Sequence, residues 1–185
     1  MKITQRALFA SLLAVSLAAG AATLLKTDPA KSSVSAVFKQ MNVPVEAKFK
    51  KFTIVIDYNA ATPDASKATA DIDTASLDLG EAEMNQEVAK KGWFNSAQFP
   101  KASFVSSAIK AAGPGKLNVS GKLSIKGKTS DISFPLTVKT EGGKQVFDGA
   151  MPIKRLAYNI GEGEWNDTGM VADEVMIKFH VTAAQ

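Results

Sequence analysis

Apolar residues fall on every second position through most of this chain, and that period restricts it to half-buried β-strands. Val34, Ala36 and Phe38 alternate with Ser33, Ser35 and Val37. Val45, Ala47 and Phe49 continue the pattern. The phase slips at Lys50–Lys51 and resumes with Phe52, Ile54, Ile56 and Tyr58. One extra residue in the phase predicts a β-bulge, which bends a strand and helps a sheet curl. Ala68, Ala70 and Ile72 share a face, while 102–110 is ambiguous because Phe104 and Val105 fall on opposite sides. The second half alternates more cleanly. Leu117, Val119, Gly121, Leu123 and Ile125 form one face, and Ile132, Phe134, Leu136 and Val138 the next, with a glycine-containing turn between them. That is a hairpin. Gly142–Gly143 marks another turn, 145–153 another strand, and Val175, Ile177, Phe179 and Val181 the last. Pro135 lies within a strand pattern, so it is expected at a bulge or on a non-bonding side.

The reading is all-β, with about eight strands, antiparallel because most connections are short. One segment departs from it. Helix formers run from Glu81 to Lys91, with Gly92 as the stop and Trp93, Phe94 and Phe99 following. This predicts a single helical insertion between the third and fourth strands. Eight such strands make either a sandwich or a closed barrel. A barrel removes exposed edges, and at eight strands its interior either fills with side chains or holds one ligand.

The first residues read as a secretory signal rather than as part of the fold. Lys2 and Arg6 precede an apolar run from Ala7 to about Ala19, and Ala19-Gly20-Ala21 supplies the small residues of a cleavage site. The run is shorter than the ~20 residues of a membrane-spanning helix. The expectation is a signal peptide over 1–22, one domain over 23–185, and a periplasmic location. Without Lys2 and Arg6 the 22 basic residues become 20 against 18 acids, so the net charge falls from +4 to +2 and gives no case for nucleic acid. There are no cysteines.

Catalytic chemistry has little to work with. His180, the single histidine, is out of phase with Val175, Ile177 and Phe179 and is expected to point outward. A Ser–His–Asp triad would need it to face a nucleophile. The segment 158–175 holds Glu162, Glu164, Asp167, Asp173 and Glu174. Its spacing matches no EF-hand loop and offers no ordered ligand set. A metal-dependent hydrolase built on these acids is the weakest reading; a turn shaped by Gly161, Gly163 and Asp167-Thr168-Gly169, with Trp165 lining one barrel end, is the stronger one.

Several stretches together resemble the YceI-like family of secreted lipid-binding proteins: DPAKSSVSAVFKQMNVPVEAKF, then ASLDLGEAEMNQEVAKKGWFNSAQFPKASFVSS, then KLNVSGKLSIKGKTSDISFPLTV, which fits the pattern GxLxIxGxTxxxxxPxxV, and IGEGEWNDTGMVADEVMIKFHV near the end. The resemblance runs from about Asp28 to Val181. Many members carry a histidine and an acidic residue beside the aromatic pair, where this chain has EVAKKGWFNSAQFP. The resemblance implies a lipocalin-like eight-stranded barrel around an apolar tunnel. It implies a polyisoprenoid ligand, either an isoprenoid quinone or a polyprenyl phosphate, no covalent cofactor and no established enzymatic activity. It is compatible with a homodimer and with transient contact to a membrane protein or membrane surface. The residues that would contact the lipid are Phe38, Phe49, Phe52, Ile54, Ile72, Trp93, Phe94, Phe99, Phe104, Leu123, Ile125, Phe134, Leu136, Tyr158, Trp165, Ile177 and Phe179, with room left by Ala36, Ala47, Ala70 and Gly121. Lys90, Lys91, Tyr158 and Trp165 are candidates for meeting a head group. From the residues alone, the aromatics could equally fill the interior, leaving a non-enzymatic stress or partner-binding barrel.

Overall fold

The computed structural model of the chain describes residues 23–185, so the signal peptide expected over 1–22 lies outside the described residues. Eleven strand segments form one antiparallel sheet. In chain order they are β1 (Thr23–Thr27), β2 (Ser33–Gln40), β3 (Val43–Phe49), β4 (Phe52–Tyr58), β5 (Lys67–Asp73), β6 (Leu77–Asp78), β7 (Lys101–Gly113), β8 (Lys116–Ile125), β9 (Lys128–Glu141), β10 (Lys144–Lys154) and β11 (Glu174–Ala184). They occupy eight positions of a closed meander. β1 continues into β2 across a 3-10 turn at Pro29–Lys31, β3 into β4 across Lys50–Lys51, and β5 into β6 across a 3-10 turn at Thr74–Ser76. The ring closes because β11 pairs along one flank with both β1 and β2.

The phase slip at Lys50–Lys51, expected as a one-residue β-bulge, is a two-residue break between β3 and β4, and the alternation on either side stays directed at one interior. β1 had no counterpart in the sequence reading. Its five residues are too few to show a period, and they abut the apolar run before them. The β7–β8 ladder shifts register between Ser106 and Ala108, which accounts for the ambiguous phase of 102–110. Val105 is exposed while Ile109 is buried.

Proline positions show where the wall is not fully laced. β9 pairs with β10 only from Leu136 to Glu141, so Lys128–Pro135 and Ala150–Lys154 diverge toward one end of the barrel. Pro135 and Pro152 sit on the two diverging edges. Pro44 lies on β3, whose pairing with β6 reaches only Lys48 and Phe49. A residue without an N–H is tolerated where a flank has no partner strand, and it guards that edge against foreign pairing. The β9–β10 cleft is covered by the 3-10 turn Arg155–Tyr158, which packs on β9.

The helical insertion is α1 (Ala82–Ala89), between β6 and β7. It ends before Lys91, and Gly92 is not its stop. Lys90 is already extended, and the chain reverses as Phe94 N donates to Val88 O and Ser96 N to Ala89 O. Asn95, with φ of 50°, takes the left-handed position. The connections at this barrel end are the β2–β3 turn, the α1 segment, the β8–β9 turn and the loop 155–173. Among the described residues no helix is long and apolar enough to cross a membrane.

Candidate functional site

The inward faces do not fill the barrel. They enclose a cavity of about 320 Å³ that runs from Tyr58, Phe147 and Val181 at one end to Gln40, Trp93 and Trp165 at the other. One buried water needs only ~10–15 Å³ measured in the same way. The wall is apolar because every strand contributes its inward phase. Phe38, Phe49, Ile54, Ile72 and Phe104 line it in the first half of the chain. Leu123, Ile125, Phe134, Leu136, Ile177 and Phe179 line it in the second, and Trp93, Phe94 and Trp165 close in from the connections.

Two mechanisms keep the lumen open. Ala36, Ala68, Ala70 and Ala102 line it, so β2, β5 and β7 project little into it. Two glycines act differently. A Cβ on Gly121 would lie 2.5 Å from the Phe104 ring, and a Cβ on Gly149 would collide with the Phe179 ring. Each ring therefore lies back against bare backbone instead of crossing the lumen. Phe134 joins the two rings, with centroids 5.6 Å from Phe104 and 5.5 Å from Phe179. Gly121 thus leaves no free space of its own; Phe104 occupies it. Ala47 is fully buried and does not border the cavity.

Three of the expected contact residues do not reach the lumen. Phe52 shares the inward phase but is the first residue of β4, beside the break at Lys50–Lys51, and packs on the edge of the core. Phe99 covers the β8–β9 turn, where a Cβ on Gly127 would sit 3.1 Å from its ring. Tyr158 is buried in the 3-10 turn that covers the β9–β10 cleft. Of the head-group candidates, Lys90 Nζ is held by Glu87 Oε2 at 2.5 Å, Lys91 is exposed, and Trp165 lines the cavity.

The opening lies between α1 and the β2–β3 turn. Gln40 and Met84 border the cavity and are also exposed at that end. Met84 and Val88, four residues apart on α1, present one helical face to the cavity. That spacing is visible in the sequence and identifies the face of the insertion that belongs to the site. Met41, Val43 and Met170 are exposed beside the opening, where Met41 N donates to Met170 O at 2.8 Å.

The acidic loop is organised by a residue that no periodicity marks. Arg155 is 2% exposed and borders the cavity. Its Nε donates to Ala172 O, Nη1 to Ile160 O and Gly161 O, and Nη2 to Trp165 O and Val171 O, at 2.7–3.2 Å. Burial lowers its pKa, opposed by the Asp173 carboxylate, but a guanidinium remains charged. Gly161, with φ of 80°, is required here because a Cβ would strike Arg155 Nη1. The acids bind separate partners instead of converging. Asp173 Oδ1 accepts from Leu156 N, Asp167 Oδ1 from Gly169 N, and Glu162 Oε2 from Lys126 Nζ at 2.8 Å. The Lys126 hydrogen bond and charge lower the Glu162 pKa. Among the described residues no group of three or more His, Asp or Glu side chains could hold a metal ion. His180 is exposed on the outer wall, its Nδ1 2.6 Å from Asp148 Oδ1.

Comparison with known proteins agrees with this geometry. A sequence model described as the YceI-like domain matches residues 25–183. The crystal structure of Burkholderia cenocepacia BcnA is 53% identical, with a TM-score of 0.83 over 85% of this chain and 99% of that one. A UPF0312 protein of Pseudomonas fluorescens (strain SBW25) is 35% identical over 98 residues, which is 53% of this chain and 51% of the relative. The chain thus spans about half the length of the curated relatives it matches. A polyisoprenoid binding domain from Saccharophagus degradans shares the fold at 17% identity, with a TM-score of 0.69 over 88% of this chain and 98% of that one. Over the described residues the chain is a closed antiparallel barrel with one α-helix, and it belongs to the YceI-like domain family.

Proposed function

We propose that the protein is a periplasmic carrier or store for one isoprenoid chain, an isoprenoid quinone or a polyprenyl phosphate, and that it catalyses no reaction. The observation that carries this reading is the continuous apolar cavity of about 320 Å³, open beside α1 and walled by alanines and withdrawn rings. A barrel packed for stability alone would fill that space, because interiors close-pack and voids cost free energy. Burying one CH₂ gives about 0.8 kcal/mol, so a chain of ~40 carbons nominally exceeds the ceiling for non-covalent affinity. Ordering of the chain and imperfect contact take much of this back, and a partial fit still suffices to carry it through water. The family and the fold shared with a polyisoprenoid binding domain support the ligand class. The basic and apolar start of the chain supports export.

Delivery requires the opening to meet a membrane or a membrane protein, and the exposed Met41, Val43, Met84 and Met170 around it fit that contact. A homodimer would use the outer wall, where Val55, Thr69 and Val105 form one row across β4, β5 and β7.

Uptake of a labelled polyprenyl chain by delipidated protein tests the reading. Wild type binds one chain per barrel. Ala70→Phe, which places a ring in the lumen beside Phe104, binds at least tenfold more weakly while keeping its far-UV spectrum. Equal binding by a folded Ala70→Phe variant would place the chain outside the barrel.

A further inference from the structure

The cavity is apolar along its length but not at its end. Trp93 forms part of the wall at the barrel end that carries the opening. Its Nε1–H is buried and has no hydrogen-bond partner among the described residues. Buried donors without acceptors are rare in native proteins, and each calls for a reason. The surroundings supply one. The Arg155 guanidinium carbon lies 5.8 Å from the Trp93 ring centroid. All the guanidinium donors are committed to backbone carbonyls, so what Arg155 adds at this end is a fixed positive charge. A cation over an indole face draws electron density from the ring and strengthens its N–H as a donor. The carboxylate on this part of the wall, Glu87, is already bonded to Lys90. The Asp173 carboxylate offsets part of the Arg155 charge, so this end of the cavity holds one unpartnered donor beside a buried guanidinium.

We infer that Trp93 Nε1 and the charge of Arg155 form a head-group subsite that takes an acceptor oxygen, a quinone carbonyl or a phosphoryl oxygen, at the end of the bound chain. This rests on the carrier reading above and adds an orientation. The tail enters first and reaches the Tyr58–Phe147 end, where the rings meet edge-on at 5.4 Å. The head stops beside the opening. Trp165, whose ring centroid is 5.4 Å from that of Trp93, is only half-buried. Trp93 Nε1 is closed to solvent, so an arriving oxygen reaches it once a neighbouring side chain moves aside.

The test compares three probes on delipidated protein: a long-chain ubiquinone, a polyprenyl phosphate, and squalene, which has an isoprenoid chain and no head. Trp93→Phe keeps an aromatic ring and removes the donor. The affinity ratio of a headed probe to squalene is expected to fall about tenfold in this variant. A fall confined to the quinone identifies the carbonyl, and one confined to the phosphate identifies the phosphoryl group. An unchanged ratio, with squalene affected as much as the others, overturns the subsite and leaves Trp93 as packing.

A second measurement does not depend on that variant folding. The chain has two tryptophans, so Trp165→Phe leaves Trp93 as the single indole fluorophore. Bound ubiquinone quenches its emission strongly if the head lies beside it. Bound quinone that leaves the emission unquenched places the head at the other end and overturns the inference. Wild type that binds none of the three probes overturns the carrier reading itself, and the subsite with it.

Discussion

Arg155 shows how a single buried charge can hold a loop that otherwise has little to pack. Its hydrogen bonds gather carbonyls from residues 160, 161, 165, 171 and 172. Hydrogen bonds to a charged group contribute about 1.5–3 kcal/mol each, and they do not add simply. Arg155→Met is expected to lower stability by about 3–4 kcal/mol, read as a fall in the urea midpoint at unchanged slope. Arg155→Lys should recover little of it, since an ammonium has three donors and no planar fork. Gly149 acts at the same scale through space. Gly149→Ala would drive the Phe179 ring into the lumen, costing about 1–3 kcal/mol of strain. The variant should bind a long isoprenoid chain several-fold more weakly than wild type. Unchanged binding would show that Phe179 has another place to go.

At the scale of elements, α1 and the β2–β3 turn frame the opening. α1 buries no side chain fully, and beside the packing of Val88 on the core it is tied down by polar contacts. Asp78 Oδ1 accepts from Asn85 Nδ2 and Gly80 N, Asp78 Oδ2 pairs with Lys50 Nζ at 2.8 Å, and Asn85 Oδ1 accepts from Leu79 N. Hydrogen bonding from Lys50, then Asn85, lowers the Asp78 pKa from its ordinary 3.8 to about 2. A carboxylate with a lowered pKa stabilises the fold above its unfolded value and loses that contribution as pH falls through its folded value. The tether of α1 should thus hold above pH 4 and weaken between about pH 4 and pH 2. Amide exchange in 82–89, corrected for its intrinsic pH dependence, should speed up across that window, and Asp78→Asn should flatten the response. The turn invites a different experiment. Met41 is 72% exposed and has φ of 49°, a conformation that costs a non-glycine residue without any burial in return. Met41→Ser with Val43→Ser should leave equilibrium binding intact but slow transfer of the chain from vesicles about tenfold. Unchanged transfer rates would remove this tip from the delivery step.

At the scale of the molecule, strand content and the direction of the core were legible because a period of two carries both. The eight positions, the interruption of phase at Lys50–Lys51 and the inward sets of β8, β9 and β11 follow from alternation alone, although the interruption is a break between strands and not the expected bulge. Alternation also misdirected where a strand ends. Phe52 has the right phase and the wrong depth. Phe99 and Tyr158 lie in connections, where phase carries no information about direction. Whether the interior is filled or open could not be read from the residues. It depends on rings lying back over Gly121 and Gly149, a relation between neighbouring strands that no single segment displays. Arg155 was illegible for the same reason, since its partners are carbonyls brought to it by the loop.

The central claim is that the lumen holds an isoprenoid chain in the cell. The direct measurement is mass spectrometry of an organic extract from mature protein, purified without detergent from its native compartment. The account predicts one isoprenoid quinone or polyprenyl phosphate per barrel, absent from an Ala70→Phe control. Protein that yields no isoprenoid, and that takes up neither added quinone nor polyprenyl phosphate, would contradict it.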